Sequence, residues 1–204
     1  MIDNIIKNTI REFCLEFIRS PYLCYTEHGL HALFYCKLYS NIPEDKRYIQ
    51  WECKKVCIIQ KEYPTADKLD KPKRQNWDIS IIQCPPKAVP GKTPSYDYLF
   101  LNSVIEFGMN EGKEHLREDI RRLSHEKSYV KNKYAIHLYR ISDLESRRDC
   151  SPRSKKILTT NDVLNIVKNT DVNVYFGLTD FTNNHESGLW KINNKGITNI
   201  RLDE

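Results

Sequence analysis

The sequence contains little glycine, with only 7 glycines among 204 residues. No Walker-type or dinucleotide-type glycine motif occurs in it, which argues against a nucleotide site built on a glycine-rich loop. No apolar run approaches the roughly 18 residues that a membrane-spanning helix needs. Residues 1–6 pass from acidic to apolar without a basic segment, so they do not match a signal peptide. We therefore expect a cytoplasmic protein without a membrane partner.

Disulfide and thiol chemistry also find little support. The seven cysteines are odd in number and lie mostly within apolar patterns, as reduced core thiols of a cytoplasmic protein do. No base can be assigned to a cysteine nucleophile, and no serine elbow of the form G-x-S-x-G is present. Four metal-binding side chains lie in one short segment, namely Cys24, His28, His31 and Cys36. Their spacing matches no zinc pattern, so the sequence predicts no structural zinc there.

The composition is that of a globular chain. Hydrophobic residues make up 40% and aromatic residues 11%, enough for a substantial core, and the length predicts a single domain over residues 1–204. The net charge is +5, with four bases in residues 68–74 and five in residues 147–156. Both segments have the composition of loops, from which cations can reach phosphates. Solvated loop surface is the simpler interpretation of these charges.

Apolar residues recur at helical and strand-like spacing along the chain. We expect helices over residues 2–18, 27–39 and 113–131 and from 160 or 161 to 167, and strands over residues 56–60, 77–83, 98–107, 134–141 and 172–177. Turn-rich segments join the first three strands, which predicts an antiparallel meander. The fourth strand follows a helix, so a crossover should place it parallel to the third. The tail from residue 183 is expected to form a hairpin, and the predicted fold class is α/β, with a central mixed β-sheet flanked by helices.

Two acidic residues interrupt strands that otherwise have the pattern of buried ones. Asp78 lies in the second predicted strand and Glu106 in the third. Aspartate and glutamate are depleted in strands and are seldom buried without a partner. A divalent cation is the simplest partner that would bring the two carboxylates together.

The order of helix, three-stranded meander, helix and strand, with an acid in the second strand and another in the third, resembles the PD-(D/E)xK nuclease superfamily. The resemblance covers roughly residues 20–141. It implies a restriction-endonuclease-like fold and leaves a C-terminal extension over roughly residues 157–204. It makes Asp78 the aspartate of the second strand, Glu106 the glutamate of the ExK tripeptide and Glu27 a further glutamate from the helix before the sheet.

The resemblance implies a metal-dependent nuclease that hydrolyses phosphodiester bonds in nucleic acid, with DNA the favoured substrate, and it allows a homodimer. Mg²⁺ or Mn²⁺ would take oxygen ligands from Asp78, Glu106 and the backbone carbonyl of Phe107. The cation would lower the pKa of a bound water and neutralise charge on the scissile phosphate. The basic loops over residues 68–74 and 147–156 would reach the nucleic acid.

The chain departs from the family pattern at the lysine of the tripeptide, because that position holds Gly108. In a nuclease, a displaced lysine would then act on the water. One candidate is Lys61, at the end of the first strand, in a segment over residues 61–65 that is similar to that of nuclease-like members. The other is Lys113, at the start of the next helix. The alternative is a catalytically degenerate member of the same fold that binds nucleic acid or a partner protein.

A third interpretation makes the acids structural. Glu106 would form an ion pair with Arg117 or Arg121 of the following helix. Asp78 would pair with Arg74 or with a lysine. Glu27 would favour the N-terminus of its helix, where a negative charge complements the macrodipole. A separation of more than about 8 Å between the two strand carboxylates would rule out a shared cation.

Overall fold

The computed structural model describes residues 2–92, 98–141, 157–183 and 185–201 and has an α/β fold with a mixed sheet flanked by helices. The helices are α1 (Ile2–Arg19), α2 (Glu27–Asn41), α3 (Lys113–Ser124) and α4 (Thr160–Val167), with 3-10 turns at Glu44–Lys46 and Glu126–Ser128. The strands are β1 (Tyr48–Trp51), β2 (Lys54–Cys57), β3 (Ile59–Pro64), β4 (Asn76–Ile82), β5 (Leu101–Met109), β6 (Val130–Ile141), β7 (Asn173–Asp180), β8 (Gly188–Asn193) and β9 (Gly196–Ile200). The predicted fold class is confirmed. Within the described ranges, no helix is long and apolar enough to cross a membrane.

Seven strands form the main sheet, in the spatial order β3-β4-β5-β6-β7-β8-β9. β3, β4 and β5 form the expected antiparallel meander. β5, β6 and β7 are parallel to each other. The sequence predicted this orientation for β5 and β6, because a helix connects them. β8 and β9 complete the sheet as an antiparallel hairpin, which confirms the prediction for the tail. This arrangement brings the carboxyl ends of β5, β6 and β7 to the same edge of the sheet as the start of β4.

The strand predicted over residues 56–60 is wrong in its bounds. Cys57 ends β2, which pairs with β1 in a separate two-stranded sheet, and Ile59 begins β3. The N–H of Ile58 donates to the carbonyl of Arg47, so the chain passes from one sheet to the other at this residue. The hairpin escaped sequence reasoning because β2 opens with two lysines, which are depleted in strands.

Two helix boundaries also differ from the prediction. α3 ends at Ser124 instead of residue 131, because the start of β6 pairs with β5 and this long-range pairing overrides local helical preference. α4 is capped by Thr159 instead of by either of the two residues that follow it. Thr159 and Asp162 form a capping box, in which each side chain accepts a hydrogen bond from the other residue's backbone N–H.

The sheet separates two hydrophobic cores. α1 and α2 cover one face, on which Ile105 and Phe107 are buried. α3 and α4 cover the other face, on which Val104 is buried. Because successive side chains of a strand point to opposite faces, Glu106 and Gly108 share the face of Val104. Both residues are therefore directed towards α3.

The basic segments predicted as phosphate-binding loops are only partly described. The segment over residues 147–156 lies outside the described residues. In the other segment, Lys71 forms an ion pair of 2.8 Å with Glu118 of α3. The guanidinium of Arg74 lies 4.8 Å from the centre of the Tyr98 ring. Part of the charge of this segment is therefore engaged within the chain.

Candidate functional site

The three acids singled out in the sequence come from three elements that meet near the end of β5. Glu27 begins α2, Asp78 is in β4 and Glu106 is in β5. The pairing of β4 with β5 runs as far as Ile79 and Ile105, so Asp78 and Glu106 are the next residues in register. We call Glu27, Asp78 and Glu106 the acidic cluster.

Two carboxylates of the acidic cluster bond the backbone of β5 beyond the end of its ladder with β4. The N–H of Phe107 donates to Asp78 Oδ2 at 2.8 Å, and the N–H of Met109 donates to Glu27 Oε2 at 3.0 Å. Alternate residues of a strand direct their N–H groups to the same edge, so both donors face the side from which β4 has departed. A buried N–H without a partner is costly. The two acids satisfy these donors, which explains why an aspartate is tolerated in β4.

Glu106 is the most deeply buried acid of the cluster, with 1% of its surface exposed. The Nη2 atom of Arg122 lies 3.1 Å from Glu106 Oε2. That contact lacks hydrogen-bond geometry, and neither carboxylate oxygen has a hydrogen-bond partner among the described residues. Burial raises the pKa of Glu106 well above its ordinary value, Arg122 lowers it, and the charge of Asp78 raises it further. The guanidinium therefore compensates the buried carboxylate only in part.

The ion pair expected from the structural interpretation is present, but its partner is Arg122, not Arg117 or Arg121. Arg117 pairs with Glu114 and Arg121 with Glu118, each within α3. The two named arginines lie on the outward side of the helix, where such pairs within one helix are common. The prediction was right about the helix and wrong about the residue.

Gly108 is the residue that the resemblance to the nuclease superfamily aligns with a lysine, and its neighbours leave no room for a side chain unless they move. A Cβ atom at this residue would lie 2.7 Å from Nδ1 of His137 on β6 and 3.3 Å from Cδ2 of His115 on α3. His137 is held by the contact of its Nε2 with the carbonyl of Glu111 at 3.0 Å. Burial lowers the pKa of His137 to about 4, so its ring is neutral at neutral pH.

His115 places a positive charge next to Gly108. Its Nε2 lies 3.2 Å from Asp119 Oδ2 and 3.2 Å from the carbonyl oxygen of Phe107. The hydrogen bond to Asp119 raises the pKa of His115 to about 9, and the Phe107 carbonyl adds to this increase against the opposing effect of burial. The ring is therefore cationic at neutral pH. Sequence reasoning missed His115, although its i, i+4 spacing from Asp119 was a visible signal.

The two lysine candidates lie in different surroundings. Lys113 Nζ is 3.0 Å from Asp162 Oδ1, so its charge is engaged in the contact between α3 and α4. Lys61 is exposed on β3, the strand next to that of Asp78. Burial lowers the pKa of His31 against the opposing charge of Asp78, and the charge of Lys61 lowers it further, as expected of a lysine near this ring.

A second group of polar side chains adjoins the acidic cluster. His31 of α2 is buried, and its Nε2 lies 3.7 Å from Asp78 Oδ2. His28 belongs to the same helix, and Glu62 approaches both histidines from β3. The i, i+3 spacing of the two histidines was visible in the sequence, whereas the approach of Glu62 depends on the fold. We call His28, His31 and Glu62 the histidine site.

Comparisons of the chain with family models, with curated proteins and with solved structures return no match. Function is therefore inferred from the residues of the site and their contacts.

Proposed function

We propose that the chain is a metal-dependent, nuclease-like protein that hydrolyses phosphodiester bonds in nucleic acid, with DNA the favoured substrate. One observation carries this proposal: the Glu106 carboxylate is buried, neither of its oxygens accepts a hydrogen bond from a described residue, and the charge of Asp78 acts on it. A buried charge that is only partly compensated is unfavourable. A divalent cation between Asp78 and Glu106 would remove this deficit.

The donor set suits Mg²⁺ or Mn²⁺. Both cations prefer oxygen ligands, and Mg²⁺ commonly takes one or two carboxylates and keeps several waters. The charge of Asp78 acts on Glu106, which supports a position of the two carboxylates within reach of one cation. The third expected ligand, the Phe107 carbonyl, already lies 3.2 Å from His115 Nε2. The two carboxylates are therefore the ligands that fit best.

A cation bound there would polarise a water and the scissile phosphate. The chain's own cations would then replace the missing lysine. His115 is cationic at neutral pH and lies beside Gly108, the position from which the family's lysine acts. Lys61 lies on the strand next to Asp78. The resemblance to the PD-(D/E)xK superfamily supports the same assignment of acids.

Exposed aromatic rings at the same edge of the sheet would give a nucleic acid a surface on which to stack. The rings of Tyr22 and Phe181 stack with their centres 5.8 Å apart, and Tyr25 is exposed beside them. The guanidinium of Arg140 lies 4.6 Å from the centre of the Tyr22 ring. Phe181 directly follows β7 and Arg140 is near the end of β6, the edge at which β4 begins. Bases stack on such rings with little dependence on sequence.

The test is cleavage of single-stranded and double-stranded DNA and RNA by the full chain, with Mg²⁺, with Mn²⁺ and with a chelator. We expect metal-dependent cleavage of DNA, which Asp78→Asn and Glu106→Gln each reduce by at least about 100-fold. Asp45→Asn is the matched control, because Asp45 is an exposed acid paired with Lys46, and it should cleave at the wild-type rate. Cleavage that persists in the Asp78→Asn/Glu106→Gln double variant, with its circular dichroism unchanged, would contradict the proposal.

Two further variants separate the lysine candidates. Lys61→Met removes an exposed cation near the cluster and should lower the cleavage rate by about 10-fold or more. Lys113→Met is matched to it in chemistry, but Lys113 is engaged with Asp162, so its cleavage rate should stay at the wild-type value. The opposite ranking of the two variants would transfer the assignment to Lys113.

A second candidate function is binding without catalysis, by a degenerate member of the same fold. The contact between Gly108 and His137 favours it, because the position of the family's lysine is filled by a neighbouring ring. Binding of DNA without cleavage under every metal, unchanged by Glu106→Gln, would support this candidate over the first.

A further inference from the structure

The histidine site gathers two helical side chains and one side chain from a strand. One potential ligand atom from each of His28, His31 and Glu62 lies within 4.8 Å of the others. Residues three apart on a helix share a face, and the two imidazole rings are edge to face with centres 5.6 Å apart. Nitrogen and oxygen donors from α2 and β3 therefore converge on one small volume.

His31 is the buried member of this group and has unused bonding capacity. It is 1% exposed, and both of its ring nitrogens are buried without a hydrogen-bond partner among the described residues. The 3.7 Å separation from Asp78 Oδ2 is too long for a hydrogen bond. An imidazole buried without a partner is costly. A ligand that accepts the lone pair of this ring would remove that cost.

Glu62 reaches the histidines through a local departure from strand geometry. Its φ is 54°, in the left-handed region that residues other than glycine seldom adopt. The β3–β4 ladder pairs Lys61 with Ile79 and Tyr63 with Trp77, and it omits Glu62 between them. A carboxylate oxygen of Glu62 lies within 4.8 Å of a ring nitrogen of each histidine, so the carboxylate faces the two rings.

We infer that His28, His31 and Glu62 bind a divalent transition-metal ion of the zinc class. Imidazole nitrogen is a ligand for Zn²⁺, Co²⁺ and Ni²⁺, whereas Mg²⁺ and Ca²⁺ prefer oxygen alone. Two histidines and one carboxylate leave a coordination position open, as catalytic zinc sites do. The inference does not rest on the proposed function, because the acidic cluster offers only oxygen ligands.

The site would need to contract around the ion. In a tetrahedral zinc site, ligand atoms about 2.0–2.2 Å from the ion lie about 3.3–3.6 Å from each other, whereas the three ligand atoms here lie within 4.8 Å of one another. His28 and Glu62 are exposed, so their side chains can rotate to shorten these separations by about an ångström. His31 is held in the core against Phe107, with ring centres 4.8 Å apart. The buried histidine thus fixes the site, and the two exposed ligands close on the ion.

The test is metal binding by the full chain without nucleic acid, measured by competition with a chromogenic zinc chelator and by the visible spectrum of Co²⁺. We expect one equivalent of metal per chain and a Co²⁺ spectrum without a thiolate charge-transfer band. His28→Ala and Glu62→Gln change exposed residues and should each weaken binding at least tenfold. His125→Ala changes the histidine that directly follows α3; it is the matched control and should bind as the wild type does.

Two results would overturn the inference. One is equal affinity of the wild type and the His28→Ala/Glu62→Gln double variant, and the other is a thiolate band, which would place the ion on cysteines. Glu106→Gln should retain zinc binding, because Glu106 belongs to the acidic cluster. If Glu106→Gln loses nuclease activity and keeps its zinc affinity, the two sites are separate. If Glu106→Gln loses zinc affinity, the histidine site is not independent of the acidic cluster.

Discussion

The acidic cluster and the histidine site are neighbours, with Asp78 and His31 only 3.7 Å apart, but their polar atoms are satisfied differently. Asp78 and Glu27 accept hydrogen bonds from the backbone of β5, and Glu106 opposes the guanidinium of Arg122. The ring of His31 bonds none of the described residues. The acids are therefore at least partly compensated by groups of the chain itself, whereas His31 packs against Phe107 but has no polar partner among the described residues. Substitutions should cost stability in the first group and little in the second.

The largest expected effect is at Arg122. Arg122→Met leaves the Glu106 carboxylate buried without the cation that now lies 3.1 Å away. Removing one partner of a buried ion pair costs about 3–5 kcal/mol, and we expect a loss of that size in the free energy of unfolding, measured by urea denaturation at pH 7. The loss should shrink at acid pH, because a protonated Glu106 no longer requires a cation.

Two variants control this experiment. Arg117→Met removes an arginine of an exposed pair with Glu114 and should cost less than about 1 kcal/mol. Arg122→Met/Glu106→Leu replaces both charges and should recover most of the stability, since apolar replacement of a buried pair is often neutral. A double variant as unstable as Arg122→Met alone would show that the guanidinium stabilises the fold through other contacts, such as that with Asp119.

The next effect is at Gly108, which tests whether the lysine position is closed. A Cβ atom there would lie 2.7 Å from His137 Nδ1, and overpacking of this kind costs about 1–3 kcal/mol. We expect Gly108→Ala to lower the thermal midpoint accordingly, and Gly108→Lys to fail to increase nuclease activity. Gly108→Ala/His137→Ala should lose less stability than the two single variants lose together, because the new Cβ atom no longer meets the His137 ring. Losses that add fully would contradict the contact between residue 108 and this ring.

The contacts around the acidic cluster and the histidine site differ in how far the sequence could predict them. Asp78 and Glu106 fall on facing strands because the meander follows from local alternation and from turns. The approach of His137 to Gly108 depends on the register between β5 and β6, and the approach of Glu62 depends on a left-handed residue within a strand. Neither leaves a local signal. Arg122 did leave one, because it follows Asp119 at i, i+3 on the face of α3 that is turned to the sheet.

A smaller effect is expected at His115 and should depend on pH. The hydrogen bond to Asp119 raises the pKa of His115 to about 9, so its stabilisation is fully present below the ordinary value near 6.5 and is lost as the pH rises through about 9. The His115 side chain is 34% exposed, so solvent screening reduces the contribution of its charge to the free energy of unfolding to about 1 kcal/mol. The wild type should therefore exceed His115→Gln in stability at pH 6 and equal it at pH 10. A difference that is constant with pH would mean that His115 acts by packing.

The smallest effect is expected at His31. Burial lowers the pKa of His31 against the opposing charge of Asp78, so the ring is neutral at neutral pH. Replacing a buried polar group that has no hydrogen bond by an apolar group of similar size forfeits no bond. We therefore expect His31→Leu, measured with a chelator present, to unfold within about 1 kcal/mol of the wild type. Leu30→Ala at the adjacent buried position is the matched control and should lose about 2–5 kcal/mol.

The comparison of the two groups depends on that pair of variants at His31 and Leu30. If His31→Leu destabilises the metal-free chain as much as Leu30→Ala does, the ring contributes to the core, and its burial no longer indicates a ligand. If His31→Leu is neutral without metal, added Zn²⁺ should raise the thermal midpoint of the wild type and leave that of the variant unchanged, because a ligand stabilises only the fold that binds it. The cost of burying His31 without a partner would then be offset by the ion alone, whereas in the acidic cluster the guanidinium of Arg122 offsets part of the corresponding cost.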